Sequence, residues 1–370
     1  MLRNGLGELL TTLVPKVDNF FDLFCGSGAV AGYVAQKFSI PVCAGDLQQY
    51  AVVLAAAQVE QTESFDASLA VEKWLSASSN WLKEATEGFL LPDELPATSA
   101  STEAWRSAVY SAREYCSKLP GTFPLARAYG GYYFSPIQAL AIDALRKSLP
   151  PECETPALAA LIDAASNCAA APGHTAQPFS TKESALPHLA QAWSKNIVSA
   201  STILLERNAA TMAKTRGKAV QSDALALTEE LGENDIAFID PPYSEVQYSR
   251  FYHVLEAIAA GTINEVKGIG RYPELQLRPQ SQFSLISQSA EAFNDLMIGV
   301  AASGAQAIVT FPSGDASNGL SGRLVEEISS QYFHVRTRKI SSLFSTLGGN
   351  SVSRNARSSA TELVLHLEPK

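Results

Sequence analysis

Ile236, Ala237, Phe238 and Ile239 form an uninterrupted apolar run that stops on Asp240, Pro241, Pro242 and Tyr243. A strand without polar alternation is covered on both faces, so it belongs inside a parallel sheet flanked by helices. The two prolines fix φ and remove N–H donors, which ends the strand and stiffens the turn beyond it. The result is a rigid platform at the carboxyl end of a strand, where open α/β sheets bind ligands. It gathers an acceptor carboxylate, a free carbonyl and an aromatic face, the partners that an exocyclic amino group on a planar ring requires.

The chain has 370 residues, 46% of them hydrophobic, enough for a large core and two domains. The most apolar stretch, 297–311, is interrupted by Gly299, Ser303, Gly304 and Gln306, and the first five residues lack the apolar core of a signal peptide. No membrane partner and a cytoplasmic location are therefore expected, in a bacterial nucleoid or, for a phage-encoded chain, in its host. The five cysteines are an odd number with no Cys-x-x-Cys, which predicts reduced thiols and no metal site. The net charge of −9 does not mark a nucleic-acid binder, but its distribution is uneven. Residues 60–120 hold ten acids and five bases, whereas 334–360 hold Arg336, Arg338, Lys339, Arg354 and Arg357 and no acid. Arg207, Lys214, Arg216 and Lys218 form a second basic cluster. An ordinary solvated face and a phosphate-facing surface are both open readings of such clusters.

Residues 18–59 read as strand, glycine turn, helix, strand, helix, with strands at 19–24 and 41–46 and a helix over 29–37. Residues 60–200 change texture to alanine-rich helical stretches broken by Pro, Ser and Gly, which predicts a helical insert. Strand patterns resume at 218–223, 236–240 and 306–311, and the alternation at 334–338 and 361–367 suits paired, half-exposed strands. The expectation is an α/β fold: a doubly wound, seven-stranded Rossmann-like sheet over 1–59 and 201–370, interrupted by a mostly helical domain over 60–200.

Asp22, Leu23, Phe24, Cys25, Gly26, Ser27 and Gly28 lie at the first strand-to-helix turn. Glycines allow close backbone approach, and the helix N-terminus beyond offers free N–H groups to an anion. Gly26-x-Gly28-x-x-Ala31, with Asp46 twenty residues after Gly26, also satisfies a loose dinucleotide fingerprint. Asp22 favours S-adenosylmethionine, because its carboxylate can meet the ammonium of an amino-acid moiety that a dinucleotide lacks. Asp46, followed by Leu47, then suits the ribose, and Ser222 or Asp223 the adenine amino group. A helix N-cap is the equal alternative for Asp223.

The exocyclic nitrogen of adenine is a poor nucleophile because its lone pair is delocalised into the ring. If the Asp240 carboxylate and the Pro241 carbonyl each accept one N–H, the nitrogen is drawn towards tetrahedral geometry and its lone pair towards a methyl donor. Positioning and electrostatics then carry the effect without a strong base. The Tyr243 ring can stack on the base for roughly 1–3 kcal/mol. A base in a duplex reaches such a pocket only when flipped from the stack.

Asp240-Pro241-Pro242-Tyr243 after a hydrophobic strand resembles the catalytic motif of the adenine-N6 DNA methyltransferases. The order of glycine turn, helical insert and catalytic motif is similar to that of the DNA adenine methylase group, in which the insert is the target-recognition domain. Arg3-Asn4-Gly5-Leu6-Gly7-Glu8 resembles the group's N-terminal cofactor segment, although that segment usually opens with an aromatic, glycines and a lysine; here Arg3 stands near the lysine's place. Residues 132–135 with 142–146 resemble part of the insert, and 338–342 with 348–350 and 362–363 the C-terminal end. The resemblance implies an S-adenosylmethionine-dependent enzyme acting on double-stranded DNA, with a cognate restriction endonuclease as a possible companion. It implies a cofactor set of Arg3, Asp22, Phe24, Cys25, Gly26, Gly28, Asp46, Leu47, Ser222 and Asp223, and a catalytic set of Asp240, Pro241, Pro242 and Tyr243. DNA contacts are expected from Tyr248 and Arg250 after the motif and from Arg127 and Tyr129 of the insert. A basic C-terminal hairpin should add Arg338, Lys339, Arg354 and Arg357. A helix burying Phe251, Val254, Leu255 and Ile258 is expected beside Arg250. Two alternatives stay open: an RNA methyltransferase acting on guanine N2 or adenine, and a non-catalytic subunit that binds cofactor or DNA.

Overall fold

The structure is a computed structural model that describes residues 2, 5–90, 92–345 and 357–370, with backbone alone at 341–345 and 357–360. Arg3 and Arg354 lie outside the described residues, and Arg357 is described in its backbone only. Seven strands form one sheet: β1 (Phe20–Asp22), β2 (Val42–Asp46), β3 (Lys218–Gln221), β4 (Ile236–Ile239), β5 (Gln306–Pro312), β6 (Phe333–Ser345) and β7 (Arg357–Pro369). Their order is β3-β2-β1-β4-β5-β7-β6. The first five in that order run parallel, and β7 lies antiparallel between β5 and β6. This is the doubly wound, seven-stranded Rossmann-like sheet that the sequence implies.

Composition explains the layering. Every residue of β1 and β4 is buried, because helices cover both faces. On one face Leu6, Leu10, Val34 and Val59 pack against Phe20 and Phe238, whose rings stack 6.4 Å apart. On the other, Phe293, Leu296, Met297 and Val325 pack against Ala237, Ile239, Val309 and Leu365. Each large side chain buried in this way stabilises the fold by roughly 1.5–3 kcal/mol.

Among the described residues, seven α-helices follow one another from Ala67 to Ala209, Ala67–Ala85 being the first and Ile197–Ala209 the last before β3. Several carry side-chain caps, with Asp66 and Ser101 at N-termini and a Ser135–Gln138 capping box. Trp74 anchors this region, its indole donating to the Leu145 carbonyl at 2.9 Å. The helical core is continuous with the Gln49–Val59 and His253–Ala260 helices of the sheet region. No described helix is long and apolar enough to cross a membrane.

The strand boundaries differ from the sequence pattern in two informative places. β3 stops at Gln221, because Asp223 turns its carboxylate to cap the Ala224–Leu227 helix. The β6–β7 hairpin, expected at 334–338 and 361–367, keeps pairing to Ser345 and Arg357, five residue pairs beyond the last pair that β7 makes with β5. Those pairs lack apolar alternation because they extend past the sheet's core.

Candidate functional site

Strand order reverses between β1 and β4, so the chain leaves these neighbours in opposite directions and a crevice opens at their carboxyl ends. The crevice is a cavity of about 530 Å³, within the range of small-molecule sites. Phe24, Gly26, Ser27, Asp46, Leu47, Ser222 and Asp223 line one part; Asp240, Pro241, Pro242, Tyr243, Gln247 and Tyr248 line the other. The helical region contributes Ile162, Asp163 and Ser166.

The glycine turn is held by its own backbone. The amide of Leu23 donates to the Phe238 carbonyl at 3.0 Å and that of Cys25 to the Gly45 carbonyl at 2.9 Å. Asp46 clamps the turn, accepting from the Gly26 amide at 3.1 Å and the Gln48 amide at 2.9 Å. Gly26 has φ +49, and a Cβ there would meet nothing within 4 Å, so the backbone faces open cavity. Gly28, at φ +73, opens the Ala29–Lys37 helix, and a Cβ there would stand 2.9 Å from the Ala55 Cα. Gly28 is therefore required for packing, and it does not line the cavity. Neither does Cys25: its thiol is buried in the core with Val34 and Phe238, so the side chain faces away from the cavity. Burial pushes that thiol well above its usual range.

Asp22 is the anomaly of this half. It is 1% exposed, and its Oδ1 has no hydrogen-bond partner. Burial, with the Asp240 charge next, pushes its carboxyl up to about 8, against the amides of Phe24 and Ala31 that lower it. Asp46 is also pushed up by burial and held down by the Gln48 and Gly26 amides. Asp223 acts as the N-cap: its carboxylate caps the short helix through the Leu225 amide at 2.9 Å, and the residue also lines the cavity beside Ser222.

The Asp240 platform is fixed by side chains. Thr310 of β5, fully buried, donates its hydroxyl to Asp240 Oδ1 at 2.8 Å. Burial pushes the Asp240 carboxyl up to about 6, and the Thr310 bond holds it from rising further. Asn318, also fully buried, donates to the Pro242 carbonyl at 2.7 Å and the Phe283 carbonyl at 2.8 Å, which locks the double-proline turn. Tyr243 hydrogen-bonds to Tyr248, and both phenols are pushed up by burial. Gln247 and Ser281 exchange two bonds, at 2.8 and 2.7 Å, across the mouth. Glu256 accepts from the Gln49 and Tyr50 amides at 2.9 and 3.0 Å, capping the helix that comes after β2.

The expected DNA contacts divide. Arg127 and Arg250 are exposed, and the predicted helix beside Arg250 buries Phe251, Val254, Leu255 and Ile258. Tyr248 lines the cavity rather than an outer surface. Tyr129 is 0% exposed, packed between Tyr133 and His253, so it is a core residue and cannot touch DNA. Arg338 and Lys339 are exposed on β6, Arg338 pairing with Val364, which in turn pairs with Thr310. The second basic cluster is largely engaged elsewhere: Arg207 pairs with Asp163 at 2.9 Å, Lys218 with Glu230, and Lys214 caps the Lys37 carbonyl. Lys218 also opens β3, at the edge of the sheet opposite the cavity.

Thr310, Asn318 and Glu256 escaped the sequence reading. The one available signal was a threonine inside the otherwise apolar run of β5.

Residues 185–307 match the model of the D12 class N6 adenine-specific DNA methyltransferases. The match covers a third of the chain, includes the Asp240-Pro241-Pro242-Tyr243 platform, and agrees with the resemblance carried by that motif. No curated protein matches the chain.

Proposed function

We propose that this chain transfers a methyl group from S-adenosylmethionine to N6 of an adenine in double-stranded DNA. The observation that carries the reading is the Asp240 carboxylate, aligned by Thr310 on a cavity wall shared with the Gly26 turn.

The residues present fit the cofactor. Asp22 is a buried carboxylate whose Oδ1 lacks a partner, which an ammonium group would supply. Gly26 presents open backbone to the cavity, and Asp46, Leu47, Ser222 and Asp223 line the adjoining wall with acceptors and an apolar surface. When bound, S-adenosylmethionine supplies an electrophilic methyl group on a sulfonium.

Asp240 and the Pro241 carbonyl accept the two amino hydrogens of the adenine and orient the nitrogen lone pair towards the Gly26 side. Thr310 leaves Asp240 ionised at neutral pH, so the carboxylate is an acceptor rather than a donor. Tyr243, steadied by Tyr248, offers its ring to the base. Asn318 holds the Pro242 carbonyl, so the platform is organised before the base arrives. The cavity is enclosed by these walls, and the base enters it flipped from the duplex. We read residues 60–200 as the target-recognition domain and the surrounding sheet as the catalytic domain, working in the cytoplasm where DNA is accessible.

The deciding experiment counts methyl groups on DNA and RNA, with Asp240→Ala beside the wild type. Transfer to adenine in DNA, lost in the variant while cofactor binding persists, supports the reading. Transfer to RNA alone, or a variant at the wild-type rate, overturns it.

A further inference from the structure

A chain with nine excess negative charges gathers four arginines on two tyrosine rings, and no carboxylate among the described residues pairs with them. Arg250 donates to the Tyr272 hydroxyl at 3.3 Å, its guanidinium 5.1 Å from that ring, and the Arg278 guanidinium lies 5.6 Å from the same ring. Arg113 and Arg271 repeat the arrangement on Tyr132, at 4.4 and 4.8 Å. No ion pair among the described residues engages any of the four.

The like charges are held together by construction. Tyr272 belongs to a short ribbon, Val266–Lys267 against Tyr272–Pro273, and its hydroxyl bonds the Ala176 carbonyl. Beneath it lies the buried His253 ring at 4.9 Å, which burial keeps neutral. Arg271, in a left-handed backbone conformation at φ 54, donates to the Ala128 carbonyl at 2.7 Å and pins the ribbon to the helical region. Arg278 Nε is buried without a hydrogen-bond partner, and burial first, then the Arg250 charge, makes its own charge harder to keep. Uncompensated guanidiniums held side by side are unfavourable alone and favourable around a phosphate. Their place in the chain names that phosphate: Arg250 comes after Ser249 and Arg278 precedes Pro279, both of which line the cavity.

We propose that Arg250 and Arg278, gathered on Tyr272, clamp the backbone phosphates flanking the adenine that enters the cavity, and that Arg113 and Arg271 on Tyr132 continue this track onto the helical region. The inference rests on the activity proposed above. It goes beyond that activity by placing the DNA strand across the ribbon and leaving the cavity to the base and the methyl donor.

The test measures binding of the full chain to a pool of random-sequence duplexes free of methyladenine, across a salt series. Arg250→Ala and the Arg250→Ala/Arg278→Ala pair should weaken binding about tenfold or more at low salt. The slope of log K against log salt should become shallower by about 0.9 for each arginine removed. Unchanged S-adenosylmethionine binding certifies the fold, and if the pair misfolds, the exposed Arg250→Ala alone decides. Arg250→Lys should restore the slope, because a phosphate contact requires the charge. Wild-type affinity and slope in Arg250→Ala would overturn the clamp. A wild type that binds duplex with the expected arginine dependence but methylates no adenine would uphold the clamp and overturn the activity.

Discussion

β1 and β4 are neighbouring parallel strands of similar composition, both buried throughout and both leading into an aspartate at the cavity end, yet the two carboxylates are treated in opposite ways. Asp240 is half-buried on the wall and met by the Thr310 hydroxyl, and its carboxyl stands at about 6. Asp22 is buried deeper, has one oxygen without a partner, and stands at about 8. The difference separates an acid that is finished from one that is waiting. Asp240 is aligned before any ligand arrives, so it can orient a substrate amine. Asp22 remains costly to ionise until a cation meets it, so it can detect one.

The most direct way to break this comparison is Asp240→Ala. Methyl transfer should fall by roughly 100-fold or more, as expected when a preorganised electrostatic partner is removed, while S-adenosylmethionine binding by calorimetry stays within a few-fold. Loss of cofactor binding instead would assign Asp240 to the donor side.

Asp22→Asn tests the opposite pole through stability as well as affinity. The Asp22 carboxyl is raised from 3.8 to about 8, so the folded state binds its proton more tightly and wild-type stability falls as pH climbs through that window. The variant escapes this penalty. Denaturant melts should show equal stabilities near pH 4 and a variant advantage that grows by at most about 1.4 kcal/mol per pH unit up to pH 8. Its cofactor affinity should fall roughly tenfold. A variant less stable at pH 8 than at pH 4, relative to wild type, would mean that Asp22 already has its cation.

Thr310→Val sharpens the other side. Losing the hydroxyl removes the bond that lowers the Asp240 carboxyl, so the acidic limb of kcat/KM should move from about pH 6 upwards by about one unit. An unmoved limb would show that a different group titrates.

The smallest effect is expected at Asp223→Ala. Loss of an N-cap costs about 1 kcal/mol, and thermal melting reads it directly. Cofactor affinity falling further than the cap accounts for would establish the second reading, contact with the adenine amino group.

Much of this was legible in the sequence because it is local. Strands announced themselves as apolar runs, and Asp22, Asp46 and Asp240 marked their carboxyl ends without reference to anything distant. The illegible part depends on contacts across the fold. Thr310 is seventy residues from Asp240 and sits in a run whose period says only that the strand is buried. Asn318 hides in a turn of Ser, Gly and Asp that would be written the same way with no partner to hold. Tyr129 reads as a surface aromatic next to Arg127, but the Pro124–Tyr129 helix turns that side inward against Tyr133 and His253. Cys25 lies inside a turn whose neighbours face the cavity, and the turn points its thiol the other way. The arginine track is assembled from segments as distant as Arg113 and Arg278, and no window along the chain contains it.

Glu256 has a consequence for how the two halves of the site keep time. Its carboxylate grips the amides of Gln49 and Tyr50, just beyond Asp46, while its own helix follows the Tyr243 turn in the chain. One side chain therefore acts as a tie-rod between the segment after Asp46 and the segment after Tyr243, which on the proposed function receive the methyl donor and the base. On that reading, the spacing between the two guests is set by the span of a helix and two hydrogen bonds that are already in place without them.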